Sequence, residues 1–131
     1  MSRVIFTNGC FDILHRGHVE LFEFCHSIGD KVIVGLNSDS SVKKLKGDSR
    51  PINSQNDRKK ILESIKWIDE VIIFEDETPI RLIEKIMPDI IVKGGDYSES
   101  QVIGNKLCKV RIFNYVKGYS TTKTIQNISN R

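Results

Sequence analysis

Apolar residues along this chain fall in short blocks of two alternating kinds. "RVIFTN", near the start, is a β-branched and aromatic run of strand type. From His18 onward the apolar residues Leu21, Phe22, Cys25 and Ile28 recur at helical spacing, with Gly29 as a stop. "KVIVGLN" follows as a second strand, apolar almost throughout, as a strand covered on both faces should be. "SDSSVKKLKGDSRPINSQ" is polar, holds Gly47 and Pro51, and reads mostly as loop. Ser54 then has the form of an N-cap with Asp57 three residues on, and Ile61, Leu62, Ile65 and Ile68 supply the next helix's buried stripe. "EVIIF" is strand three. Thr78-Pro79 has the cap-then-proline form that opens a helix through Ile80, Ile83 and Met87. "DIIVKGG" is strand four; after a short irregular stretch, "KVRIFNY" is strand five, and Ser120 caps a last helix, "TTKTIQNI".

Strand and helix thus alternate five times. The pattern predicts an α/β fold: an open, mostly parallel five-stranded sheet with helices on both faces. No repeat, linker or low-complexity segment interrupts it, so residues 1–131 read as one domain. In such sheets ligands bind beyond the carboxyl ends of the strands, which places the site before any motif is considered.

Composition narrows the class. Of the 131 residues, 39% are hydrophobic and 28% charged, a globular balance. The net charge of +3 is small for a nucleic-acid binder but suits an anionic small molecule. No apolar run approaches the roughly 18 residues of a membrane span, and the first residues lack a signal-peptide shape. Cys10, Cys25 and Cys108 are odd in number and widely spaced, which predicts free thiols in a reducing cytoplasm rather than a disulfide framework.

The strand ends share a chemistry. Strand one ends in "TNGCFD" followed by "HRGH", strand two in "NSD" leading to "KKLKG", strand four in "KGGDY" and strand five in "VKGYSTT". Glycine, hydroxyl, cation and exposed backbone N–H are groups that hold phosphate, and helix N-termini favour negative charge. His15 and His18 bracket the first helix's start on one face, with Gly17 between them leaving room for an anion. Their N–H groups suit charge that builds on phosphate oxygens during attack at phosphorus. A metal centre would need further ligands, for which Cys10, Asp12 and His26 are the local candidates; H-x-x-H alone is a weak zinc signature. Lys43 and Lys44 read as a solvated face, whereas Lys46, beside flexible Gly47, is placed to reach a ligand. Arg58 lies in the first turn of its helix, where a cation opposes the macrodipole unless an anion is near. Asp39 and Asp96 are candidates to orient a base, a ribose or a hydrated Mg²⁺, or else ordinary turn residues. Cys10 reads as a small strand-end packing residue rather than a nucleophile.

"GCFDILHRGH", with its H-x-G-H, resembles the cytidylyltransferase-like nucleotidyltransferase superfamily. "GLNSDSSVKKLKG", "RPIN", "DRKKIL", "IIVKGGDY" and "GYSTT" are most similar to the adenylyltransferase domain of bifunctional ADP-heptose synthases. The resemblance implies a Rossmann-like fold and direct displacement: a sugar phosphate oxygen attacks the α-phosphorus of a nucleoside triphosphate and pyrophosphate leaves. It makes His15, His18 and Lys46 the catalytic set. Thr7, Asn8, Gly9, Cys10, Phe11, Arg58, Gly94, Gly95, Asp96, Tyr119, Ser120, Thr121 and Thr122 would hold the nucleotide. Asp39, Lys44 and Arg81 are the acceptor-side candidates. Mg²⁺ would bridge phosphate oxygens, with no ligand assigned from the protein. A cytoplasmic homodimer or higher oligomer is implied, with no membrane or nucleic-acid partner.

Within the reaction class, ATP with D-glycero-D-manno-heptose 1-phosphate, giving ADP-heptose, leads. CTP with glycerol 3-phosphate is the alternative. Tyr115 stands where glycerol-phosphate cytidylyltransferases usually carry arginine, which favours ATP. The stretch "SESQVIGNKLCK" is shorter than in heptose enzymes and bears on the acceptor pocket or subunit interface. A non-catalytic nucleotide-binding module is the alternative of another class.

Overall fold

The structure, a computed structural model, describes residues 2–95, 97–114 and 121–129, the first turn of the final helix as backbone only. Five strands, β1 (Val4–Gly9), β2 (Lys31–Asn37), β3 (Glu70–Phe74), β4 (Ile90–Gly94) and β5 (Lys109–Phe113), form one sheet in the order β3-β2-β1-β4-β5. Every strand pair in it is parallel. The helices are α1 (Arg16–Ile28), α2 (Asp39–Lys46), α3 (Gln55–Glu63), α4 (Ile80–Ile86) and α5 (Thr121–Ser129).

The expected helices on both faces follow from strand alternation. On β1, Ile5 joins one core with Leu21, Phe22 and Cys25 of α1 and Leu62 of α3. Phe6 turns the other way, into a second core with Ile83 of α4 and Val102. On β2, Val32, Val34 and Leu36 face the first core and Ile33 the second. Each face is therefore sealed by its own helices, and the strands read as continuous apolar runs.

Register is pinned by a repeated device at the amino edge. Asp30, Asp69 and Asp89 each precede a strand, and their carboxylates accept the N–H groups of Arg3, Val32 and Val4 at 2.6, 2.7 and 2.7 Å. The N–H of each aspartate in turn donates to the carbonyl of that same residue. Edge groups that parallel pairing leaves open are satisfied in this way.

Three local expectations need correction. The polar stretch after β2 is not mostly loop: residues 39–46 form α2. Ser38 caps it by accepting from Ser41 N–H, lysines fill its last turn, and Gly47, at φ +98°, ends it. Its stability comes from caps and macrodipole rather than a broad apolar stripe, so periodicity alone missed it. Helix α3 stops at Glu63, so Ile65 and Ile68 pack from the turn beyond it, Ile61 is exposed, and the buried positions are Arg58 and Leu62. Thr78 does not cap α4: the cap position is Pro79, with no side-chain bond. The expected Ser120 cap lies outside the described residues.

Candidate active site

The strand order reverses between β1 and β4, so the carboxyl ends of these two strands splay apart. A cleft of about 570 Å³ lies there, lined by Asn8, Gly9, Cys10 and Phe11 from the end of β1, His15 and His18 from α1, Lys46 from α2, and Lys93 and Gly94 from β4. A larger hollow, about 1050 Å³, sits at the amino ends of β1, β4 and β5, against Arg3, Asp89 and Lys109. It lies at the end of the sheet where such folds do not bind ligands, and it gathers none of the expected residues.

His15 is the N-cap of α1, and its Nδ1 accepts the Gly17 N–H at 3.0 Å. The His15 N–H in turn donates to Nδ1 of His18 at 3.3 Å. The two rings stack with centroids 3.7 Å apart. With Nδ1 an acceptor in both, each neutral ring carries its proton on Nε2. Burial lowers the pKa of His18 to about 3, with His15 beside it adding to the shift, and burial lowers that of His15 too. At neutral pH the pair is therefore two uncharged N–H donors.

Phe11 holds this pair in place. It takes the left-handed backbone conformation, φ +43°, which costs a non-glycine residue about 1–2 kcal/mol. The compensation is its ring, which packs edge-on against both His18 and Phe22 at 5.2 Å. Gly9 leaves room for it: a Cβ there would sit 3.0 Å from the Phe11 ring and press it out of place. Phe11 thus lines the cleft, and its ring packs against the His18 imidazole.

Among the described residues, the charged ones lining the cleft are the cations Lys46, Arg50 and Lys93 and the carboxylates Asp12 and Glu77. Lys93 is partly buried, and desolvation lowers its pKa, with the nearby Lys46 acting in the same direction. Its ammonium lies 5.2 Å from the Tyr97 ring centre. Cys10 is a protonated thiol, raised by burial against the opposing pull of Lys46, Arg58 and Arg50; this agrees with its reading as a packing residue.

Several expected residues sit elsewhere. Arg58 is fully buried and does not face the cleft. It donates to the carbonyls of Cys10 (2.8 Å), Asn37 (2.7 Å) and Asn53 (3.0 Å) and to the Asp39 carboxylate (2.8 Å). The anion near its helix N-terminus is the protein's own Asp39, so Arg58 is a brace that joins three loops. Asp39 is held by that pair, Lys44 is exposed on α2, and Arg81 is solvent-facing beside Asp76 at 3.6 Å; none of the three lines the cleft. Thr7 is buried within β1, its Oγ1 without a partner. Gly95, at φ +115°, follows Gly94 out of β4. Thr121 and Thr122 begin α5, whereas Asp96, Tyr115, Tyr119 and Ser120 lie outside the described residues.

Asp12, considered above as a metal ligand, is committed to the chain. Its buried carboxylate accepts from Arg50 Nε (3.1 Å), Ile52 N (2.8 Å) and Asn53 N (2.9 Å). His26 packs on Trp67 in the last turn of α1. Among the described residues no three His, Cys, Asp or Glu side chains converge as a metal site.

Sequence reasoning missed Lys93 and Arg50. Lys93 was within sight, one residue before the glycines of a quoted strand end. Arg50 sat in a stretch read as loop, and nothing local linked it to Asp12. The short segment after β4 also matters: Gln101, Val102 and Ile103 form part of the cleft wall.

Comparison with known proteins gives the family. The cytidylyltransferase-like family pattern matches residues 6–127. The chain belongs to the cytidylyltransferase-like family. The cytidylyltransferase-like superfamily expected from the sequence is met at that level. Proteins named bifunctional protein HldE are 52% identical in Campylobacter concisus, 54% in Aliarcobacter butzleri and 50% in Helicobacter pylori strain Shi470, each over 97% of this chain. This fits the resemblance to one domain of a bifunctional synthase. The chain spans only 27–28% of the length of these relatives. A lipopolysaccharide core biosynthesis protein from Thermoplasma volcanium superposes with a TM-score of 0.74 at 26% identity, covering 92% of this chain and 100% of that one. A pantothenate synthetase from Thermus thermophilus, at 17% identity and TM-score 0.62, covers 87% of this chain and 56% of its own and shares the Rossmann-like fold. Among the described residues no helix is long and apolar enough to cross a membrane.

Proposed function

We propose that this chain transfers the adenylyl group of ATP to a sugar 1-phosphate, with D-glycero-D-manno-heptose 1-phosphate the leading acceptor and ADP-heptose the product. The observation that carries the reading is the stacked His15–His18 pair at the start of α1, in a cleft that Lys46 and Lys93 also line. The substrate choice rests on the HldE-like sequence over nearly the whole chain.

An acceptor phosphate oxygen attacks the α-phosphorus. The bond from that phosphorus to the β-phosphate oxygen breaks, and pyrophosphate leaves with the electron pair. Negative charge spreads over the α-phosphate oxygens, where the neutral imidazoles would donate their Nε2 protons as hydrogen bonds without transferring them. The N-terminus of α1 and the backbone at Gly9 to Phe11 add dipoles of the same sign. Lys46 and Lys93 would offset the triphosphate's charge. No residue is required as a covalent carrier, so the work is positioning and charge stabilisation. Mg²⁺, arriving with the triphosphate, would supply positive charge against the phosphate oxygens.

A pyrophosphate-release screen of the four nucleoside triphosphates against sugar and polyol phosphates tests the reading. It expects the highest kcat/KM with ATP and a heptose 1-phosphate. Preference for CTP and glycerol 3-phosphate would replace the substrates but keep the reaction; tight ATP binding without pyrophosphate release would make the chain a non-catalytic module.

A further inference from the structure

We infer that Arg50, aimed by Asp12, is the residue that grips the phosphate of the acceptor. The inference rests on the functional reading above and adds to it the subsite that the expected residues Asp39, Lys44 and Arg81 do not build.

The Asp12 carboxylate is fully buried, and three N–H donors from the 50–53 segment converge on it. The Asn53 side chain also donates back to the Asp12 carbonyl at 2.9 Å. This doubly tied loop holds Arg50 at the cleft wall with only 12% of its side chain exposed. Asp12 takes Nε alone. The two terminal nitrogens of the guanidinium have no partner among the described residues, and they carry four N–H donors in a planar fork. A fork held at its base in the wall of a cleft matches the bidentate geometry of a phosphate monoester.

Its position assigns the phosphate. The switch point lies between β1 and β4, so Lys93 and Gly94 flank a nucleotide from the β4 side of the imidazoles. Arg50 stands on the opposite side, in the segment that follows β2 and α2 and is tied to the turn after β1. The attacking group in a displacement must approach the α-phosphorus opposite the leaving pyrophosphate. A fork on the β2 side serves that approach. A sugar 1-phosphate carries about −1.5 to −2 charges at neutral pH, which the guanidinium would offset in part.

Arg50→Gln and Arg50→Lys in the full chain test the assignment, with melting temperature, ATP affinity by calorimetry, and the KM for the sugar 1-phosphate as readouts. Arg50→Gln is expected to raise the acceptor KM at least about tenfold, with ATP affinity within about twofold. Arg50→Lys should recover only part of the loss, because a point charge cannot fork. If the Gln variant fails to fold, the Lys variant, which keeps a cation beside Asp12, carries the same comparison. Weakened ATP binding with an unchanged acceptor KM would place Arg50 on the triphosphate and overturn the assignment. No change in either constant would make it a loop brace and overturn it equally. Wild-type chain that releases no pyrophosphate with any acceptor would defeat the functional reading and this assignment together; an active wild type with an unaffected Gln variant defeats this assignment alone.

Discussion

His18 receives the backbone N–H of His15 on its Nδ1 while its ring stacks on the His15 ring, so the helix start and the proposed catalytic pair are one structure. The capping bonds that open α1 also fix which nitrogen of each imidazole holds the proton. His18→Ala is expected to lower kcat by about 10²-fold or more, a loss of roughly 2.7 kcal/mol of transition-state stabilisation. ATP affinity should change little, since the missing contact strengthens only during transfer. Steady-state kinetics beside calorimetry separate the two; a variant with near-normal kcat would remove His18 from the chemistry.

The neutrality of the pair gives stability a definite pH dependence. Both folded-state pKa values lie below that of a free imidazole, and His18 falls to about 3. Between that value and about 6.5 the unfolded chain binds more protons than the folded one. The contribution of His18 is therefore complete above about pH 6.5 and is lost as pH falls toward 3, at up to about 1.4 kcal/mol per unit. Urea unfolding at pH 7 and pH 5 should show a smaller loss for His18→Asn than for wild type. Equal losses in both proteins would contradict it.

In the proposed reaction Lys93 would supply charge rather than stability. Lys93→Met is expected to raise the KM for ATP about tenfold while leaving the melting temperature unchanged or higher, because a desolvated ammonium is replaced by an apolar side chain of similar length. A variant that melts lower with an unaltered KM would make Lys93 a structural residue.

Arg58 divides what the sequence could show from what it could not. The alternation of strands and helices, the sheet class and the position of the cleft all follow from apolar periodicity, and the H-x-G-H residues lie where the strand ends placed them. Arg58 was read as a cation awaiting an anionic ligand because its register on α3 could be seen, but its burial could not. Its partners are carbonyls near Cys10, Asn37 and Asn53, and they come together only after the chain folds. The link from Asp12 to Arg50, 38 residues apart, was hidden for the same reason. Helix α2 escaped because eight residues held by caps leave little apolar signature.

The bracing role of Arg58 is itself testable. Arg58→Met leaves three carbonyls without their donor and Asp39 without its counter-ion, and should destabilise the fold by about 3 kcal/mol or more. Asp39→Asn, at a half-exposed position, should cost less than half of that. Urea midpoints for the two variants check the order; an Arg58→Met protein as stable as wild type would mean that the guanidinium holds nothing together.

Transfer of labelled phosphate tests the central claim most directly. ATP labelled at the α-phosphorus is incubated with a sugar 1-phosphate and either the wild-type chain or the His15→Ala/His18→Ala double variant. The account predicts that the wild type moves the label into a sugar nucleotide with one pyrophosphate per transfer, and that the double variant binds ATP but moves almost none. Label transferred equally well by the double variant, or orthophosphate in place of pyrophosphate, would contradict it.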